Sequence, residues 1–243
     1  MLLDEYATHI QKAITSIQND QREKILQAAN MVKDVLLQDG LIYVFGCGHS
    51  HILAEETFYR AGGLVNVAPI FYEPLMLHEG AAESSRLEKQ PGLAERVLAP
   101  YHLTQKDLLF CISTSGINAV PVEVAEAIHA MGVPTIAICS GAYAADASRA
   151  PDGKHLYEVA DLWLDNLAPH GDACLMPEGS PVPTTPVSTI TGAFLMNSIL
   201  AEGMELALKA GGDVPAYLSG NIPGGAERNR SWIQQFQPRI RHL

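Results

Sequence analysis

The sequence predicts an α/β protein. Its middle layer is a five-stranded parallel sheet, its outer layers are helices, and extra helices precede the first strand, making a three-layer sandwich. Three observations lead there. Short apolar runs rich in β-branched residues alternate along the chain with stretches of helical periodicity, the rhythm of β-α-β units covered on both faces. Glycines close the helical stretches at Gly62-Gly63, Gly132 and Gly211-Gly212. Residues 4–38 carry two amphipathic faces and no strand pattern.

In chain order, Tyr6, Ile10, Ala13, Ile14 and Ile17 recur at spacings of three and four, one face of a helix over residues 4–17. Asn19-Asp20 interrupts that face and can cap a second helix over residues 21–38, which carries Ile25, Ala28, Ala29, Val32, Val35 and Leu36. Asp39-Gly40 ends it, the glycine being expected to take the left-handed turn. The strand candidates are LIYVF (41–45), LVNVAPI (64–70), DLLFCI (107–112), PTIAICS (134–140) and DLWLDN (161–166). Helical stretches at 50–61 and 118–131 follow the first and third of these, and residues 73–102 read as a Glu- and Leu-rich helical excursion. A long apolar helix is expected at 186–210. The whole chain, 1–243, is expected to be one domain, with the helical pair (4–38) in front and an irregular Gly- and Pro-spotted tail (211–243) behind.

Composition narrows the function. With 47% hydrophobic and 18% charged residues the chain can build a sizeable core. A net charge of −11 argues against nucleic-acid or anionic-membrane partners, but not against a small anion held locally by backbone N–H groups. The cysteines at 47, 111, 139 and 174 form no CxxC pair and fit buried reduced thiols of a cytoplasmic protein. The first residues lack a basic leader followed by an apolar core, and no apolar run approaches the roughly 20 residues that span a bilayer.

Two strands end in unusual turns. LLFCI stops in Ser113-Thr114-Ser115-Gly116, with Asn118 opening the next helix, and LIYVF stops in Gly46-Cys47-Gly48-His49-Ser50-His51. Glycine lets the backbone approach a ligand, hydroxyls cap the first turn, and the amino end of a helix offers unpaired N–H groups. After a strand, that combination is a phosphate cradle needing no lysine. Neither turn is a P-loop or a full dinucleotide fingerprint. In the flavodoxin-like strand order 2-1-3-4-5 the first and third strands are neighbours at the switch point, so both turns would open into one crevice.

These residues, STSG followed by a polar side chain and GCGHS after the first strand, resemble the sugar isomerase (SIS) domain over about residues 30–210. Within that superfamily the chain is similar to phosphoheptose isomerases and N-acetylmuramic acid 6-phosphate etherases. The resemblance implies a phosphorylated sugar as ligand, with Gly48, Ser50, Ser113, Thr114 and Ser115 around the phosphate. It also implies Asn118, where the usual pattern has Ser or Thr, and Ser188 at the start of the last helix. It further implies a homodimer, for which the two N-terminal helices offer apolar faces. The helix after the first turn keeps Glu55-Glu56, but its histidines stand at the helix start. The spaced His and Glu that serve a metal in phosphoheptose isomerases are therefore not matched, and no metal or other cofactor is expected.

Aldose–ketose isomerisation through an enediol needs a base and a way to protonate the carbonyl oxygen. An etherase eliminating across C2–C3 also begins by taking a proton next to a carbonyl. Glu55 and Glu56 point about 100° apart on a helix, so one of them can face the crevice. Glu55 is favoured as base, on a helix whose apolar neighbours would raise an inward carboxyl's pKa. His49 and His51 flank Ser50 and suit hydrogen bonding or acid–base work, since HxH without a third ligand is poor metal evidence. His170, on a Pro/Gly loop after the fifth strand, stands where ligand residues collect. His78-Glu79, Glu202 and the arginines at 228, 230, 239 and 241 read more simply as solvated groups. The leading expectation is a sugar phosphate isomerase; an amino-sugar-phosphate etherase and a non-catalytic sugar-phosphate sensor are the alternatives.

Overall fold

The computed structural model describes all residues, Met1–Leu243. Five strands form one all-parallel sheet: β1 (Ile42–Gly46), β2 (Val67–Ile70), β3 (Leu108–Ile112), β4 (Thr135–Cys139) and β5 (Leu162–Asp165), in the order β2-β1-β3-β4-β5. The register pairs Ile42 with Val67 and Leu108, and Ile136 with Leu162. Because strand side chains alternate, each strand feeds two cores. Tyr43, Phe45, Leu109, Cys111 and Ala137 face α6 (Ala119–Ala130) and the short helix α7 (Leu156–Val159). Ile42, Val44, Leu108, Phe110, Ile136 and Leu164 face α2 (Arg22–Leu37), α3 (Ile52–Thr57) and α8 (Ser188–Lys209).

The N-terminal pair divides in two. In α2 the buried residues are Ile25, Ala28, Ala29, Val32, Val35 and Leu36, the face read from the sequence. That face packs on α8 inside the sandwich, so α2 is a covering helix and is not held in reserve for a partner. By contrast α1 (Leu2–Asp20) buries only Ile17 fully and ties its start to Pro186 through the Tyr6 hydroxyl at 2.9 Å. No helix is long and apolar enough to cross a membrane.

Several boundaries differ from the sequence expectation. At the end of α2 the left-handed residue is Asp39 (φ 55°), an aspartate tolerating that region, while Gly40 is required for closeness, because a Cβ there would lie 2.0 Å from the Lys106 carbonyl oxygen. The helix expected over 50–61 is a single 3₁₀ turn, Gly48–His51, followed by α3, which ends at Thr57 because Phe58 is already extended. The second strand starts at Val67; Leu64 instead bridges Ala216. The excursion at 73–102 breaks into two 3₁₀ turns and the short helices α4 (Ala81–Leu87) and α5 (Ala94–Leu98). The tail expected to be irregular contains α9 (Gly225–Phe236), its Asn229 side chain clamping both the N–H and the C=O of Leu218. Arg239 is bound to Asp39 at 2.9 Å, before β1 and hence at the amino ends of the strands.

Candidate functional site

At the carboxyl end of β1 the chain folds back on itself. A Cβ on Gly46 would stand 2.7 Å from the Ser50 carbonyl carbon, so only glycine lets the 3₁₀ turn seat there. Gly48 takes φ 55° and the Ser50 N–H closes on Cys47 O at 3.0 Å. At the end of β3, Ser113 still reaches β4 through its N–H to Ile138 O at 3.1 Å, and its hydroxyl oxygen accepts the Gly116 N–H at 3.2 Å. Gly116 is left-handed (φ 64°) and presses on Cys139, where a Cβ would be 3.1 Å from the sulfur.

Three carbonyls of this second turn are engaged from outside. Thr114 O accepts from Ser140 N–H at 2.9 Å, Gly116 O from Leu156 at 2.8 Å and Ile117 O from Arg149 at 2.8 Å. With the carbonyls committed outward, the N–H groups of Thr114 and Ser115 are left without a protein partner. The hydroxyls of Ser50, Thr114 and Ser115 also make no hydrogen bond within the protein. Asn118 is the residue before α6, but its side chain does not cap the helix.

Because β1 and β3 are neighbours, the two turns meet. They border a crevice of about 270 Å³ lined by fourteen residues, three of them hydrophobic. Among the residues expected to bind phosphate, Gly48, Ser50, Ser113, Thr114, Ser115 and Asn118 line it, and His49 joins them. No lysine or arginine does. The volume lies just below the range of about 300–1,000 Å³ common for ligand sites and suits a small polar molecule.

Other expectations fall elsewhere. Ser188 does not line the crevice; its hydroxyl is donated to Asp172 at 2.5 Å. The Asp172 carboxylate also accepts the Val187 and Ser188 N–H groups at 3.0 Å each, so the amino end of α8 is already satisfied. Neither Glu55 nor Glu56 lines the crevice: the Glu55 side chain is 51% exposed and lies 3.4 Å from His51 Nε2, while Glu56 pairs with Arg60 one turn on. On α3 the Glu55 side chain is exposed and Glu56 is half-buried beside Arg60, so neither carboxyl reaches the crevice wall. His51 is buried, with Nδ1 against the Gly48 carbonyl, and thus holds the turn. His170 is exposed, stacked on Tyr143 at 4.5 Å between centroids and 3.0 Å from Asp146; Tyr143 itself lines the crevice, with its hydroxyl accepting the Gly171 N–H at 2.8 Å.

The crevice also holds a residue that the sequence did not single out. Glu88 follows α4, and its Oε1 accepts the Asn118 Nδ2–H at 2.9 Å. Asn118 Oδ1 in turn accepts from Arg149 at 3.0 Å, and the Glu88 carbonyl accepts the Val120 N–H at 3.1 Å. Burial raises the Glu88 carboxyl above the usual carboxylate range, with Lys89 and Arg149 pulling partly the other way. Burial likewise pushes up the Cys47 thiol beside it, helped by the Glu88 charge. Ser84 and Ser85 of α4 and Leu77 complete this wall.

Comparison with known proteins gives a consistent picture. Residues 5–140 match the family described as the SIS domain. A UPF0309 protein of Geobacillus thermodenitrificans (strain NG80-2) is 44% identical over 240 residues, covering 98% of this chain and 96% of its own. A UPF0309 protein of Listeria innocua serovar 6a is 38% identical, covering 98% and 97%. Among solved structures, a phosphoheptose isomerase from Francisella tularensis aligns over 85% of this chain and 96% of its own with a TM-score of 0.52; at 16% identity it is similar in fold.

Proposed function

The chain belongs to the SIS domain family and to the UPF0309 proteins, and from that premise we propose that it binds a phosphorylated sugar in the crevice between its β1 and β3 turns and isomerises it by proton transfer. One observation carries the reading. Two turns more than sixty residues apart in the chain, Gly48–Ser50 and Ser113–Ser115, border a single small polar crevice with free hydroxyls and unpaired N–H groups. Neutral donors arranged in this way suit a phosphate dianion, since each N–H or O–H to an ionised oxygen is a strengthened hydrogen bond. The sugar would extend from the phosphate toward Glu88 and Tyr143, the remaining polar wall. Aldose–ketose interconversion fits, because it needs a proton carrier at that wall and no redox group.

The test is incubation with a panel of aldose and ketose phosphates in D2O. The expected result is carbon-bound deuterium in at least one of them by NMR, with a second sugar phosphate appearing. Release of lactate from an N-acetylmuramic acid 6-phosphate substrate would replace the isomerase reading with the etherase. Thermal stabilisation by a ligand with neither exchange nor turnover would replace it with a sensor. The proposal keeps the homodimer; what supports it is the apolar start of α1, where Leu2 and Leu3 stay 43% and 69% exposed. Light scattering that returns the monomer mass of 26.2 kDa would remove that part.

A further inference from the structure

Isomerisation needs a group that can take a proton from one carbon and return it to the next. Two carboxyls line the crevice, Glu88 and Asp172. Asp172 is spent: Oδ1 accepts two backbone N–H groups and Oδ2 the Ser188 hydroxyl, which together close the start of α8. Glu88 is spent on one side only. Its Oε1 is pinned by Asn118, whose amide is oriented by Arg149, and its Oε2 has no protein partner. That free oxygen is turned toward the other turn, since a Cβ on Gly48 would lie 3.8 Å from it. A carboxyl fixed at one oxygen and bare at the other, between the two turns that border the crevice, is arranged to exchange a proton with a bound molecule. It also sits where a permanently charged carboxylate would repel a neighbouring phosphate dianion.

We propose that Glu88 is the proton carrier of this site, acting through Oε2, and that Asn118 is its positioning residue. The inference rests on the isomerase reading above. In the aldose-to-ketose direction the C2–H bond breaks and its proton passes to Oε2. The electron pair forms the C1=C2 bond of the enediol, while the carbonyl oxygen at C1 takes a proton from solvent. The C2 hydroxyl then gives a proton to solvent as C2=O forms, and C1 takes the proton back from Glu88. Atoms and electrons balance without an oxidant, reductant or further reactant.

The experiment compares wild type, Glu88→Gln and Glu88→Asp with a sugar phosphate that the wild type exchanges in D2O. Glutamine keeps an oxygen for the Asn118 amide but cannot take up a proton. The expected result is loss of exchange by about 10³-fold in Glu88→Gln, within the usual range for an acid–base group, with affinity for the same sugar phosphate by calorimetry held within about threefold. Glu88→Asp, shorter but titratable, is expected to recover part of the exchange; it also serves as the variant of record if Glu88→Gln does not fold. Wild-type exchange in Glu88→Gln overturns the assignment. So does a parallel loss of binding and exchange in both variants, which would make Glu88 a binding or structural group. A wild type that binds phosphosugars and exchanges none of them is a separate outcome, since it removes the isomerase reading itself and Glu88's role along with it.

Discussion

Ser113 and Ser115 stand two apart in one turn and differ in what they hold. Ser113 accepts the Gly116 N–H and keeps the turn closed, whereas the Ser115 hydroxyl makes no hydrogen bond within the protein. Ser115→Ala is therefore expected to weaken phosphosugar binding about tenfold, the loss of roughly 1.4 kcal/mol from a hydrogen bond to a charged group, and to leave the melting temperature unchanged. Ser113→Ala should lose affinity and also about 1 kcal/mol of stability. Titration calorimetry and thermal unfolding of both variants separate the two roles. Glu88 makes the opposite kind of prediction. Its carboxyl is raised in the folded protein, so its contribution to stability is complete below the ordinary glutamate pKa of about 4.3 and is lost as pH rises through the higher folded-state value. Glu88→Gln does not titrate. Its melting temperature should match wild type at pH values below the ordinary glutamate pKa and exceed it by a margin that grows as pH rises through the folded-state value and then levels off; a margin that shrinks with pH would contradict burial as the cause. The hydroxyls were legible in the sequence because a buried strand ended on them. Glu88 was not, because a glutamate in a Glu- and Leu-rich stretch looks solvated until tertiary packing desolvates it.

At the scale of elements, legibility followed hydrophobic pattern. The five strands announced themselves as apolar runs, and the buried face of α2 could be read residue by residue. Elements whose limits are set by contacts from elsewhere could not be read so. The α3 helix stops early under an extended Phe58, and α9 forms among glycines that looked like a tail. That neither carboxylate of α3 reaches the crevice was equally hidden, since the rotation of a short helix is set by packing from elsewhere. Two glycines test the difference between an element that packs and one that binds. Gly203 is where α8 crosses α2, and a Cβ there would lie 2.5 Å from Val32 Cγ1. Gly203→Ala should cost about 1–3 kcal/mol of stability through overpacking. It should leave phosphosugar affinity intact, being about 22 Å along the helix from Ser188 at 1.5 Å per residue. Gly46→Ala pushes on the Ser50 backbone and should lower both stability and affinity. Denaturant unfolding paired with calorimetry checks each; a binding defect in Gly203→Ala would mean that α8 transmits strain to the crevice.

For the whole molecule, the strand order decides where chemistry can sit. With β1 and β3 adjacent, the crossovers leave in opposite directions and their turns gape into one crevice, which two distant pieces of sequence share. The proposed dianion site is thus built from backbone N–H groups and hydroxyls inside a chain whose net charge is −11. That combination has a signature that a lysine- or arginine-built site does not. Cationic sites lose affinity for phosphates as salt screens the attraction. Here no lysine or arginine lines the crevice, and the long-range field of the molecule opposes the ligand. Short hydrogen bonds in a half-closed crevice are screened little, whereas the diffuse repulsion is screened strongly once the Debye length falls from about 30 Å at 0.01 M to about 8 Å at 0.15 M salt. Affinity for a sugar phosphate, measured by calorimetry at constant pH across that range, should therefore rise by about twofold. Running the series in both acetate and chloride separates screening from competition by the salt's own anion. A steep fall in both salts would mean that a cation outside the crevice wall, with Arg149 behind Asn118 the nearest candidate, carries the phosphate and that the neutral donors do not.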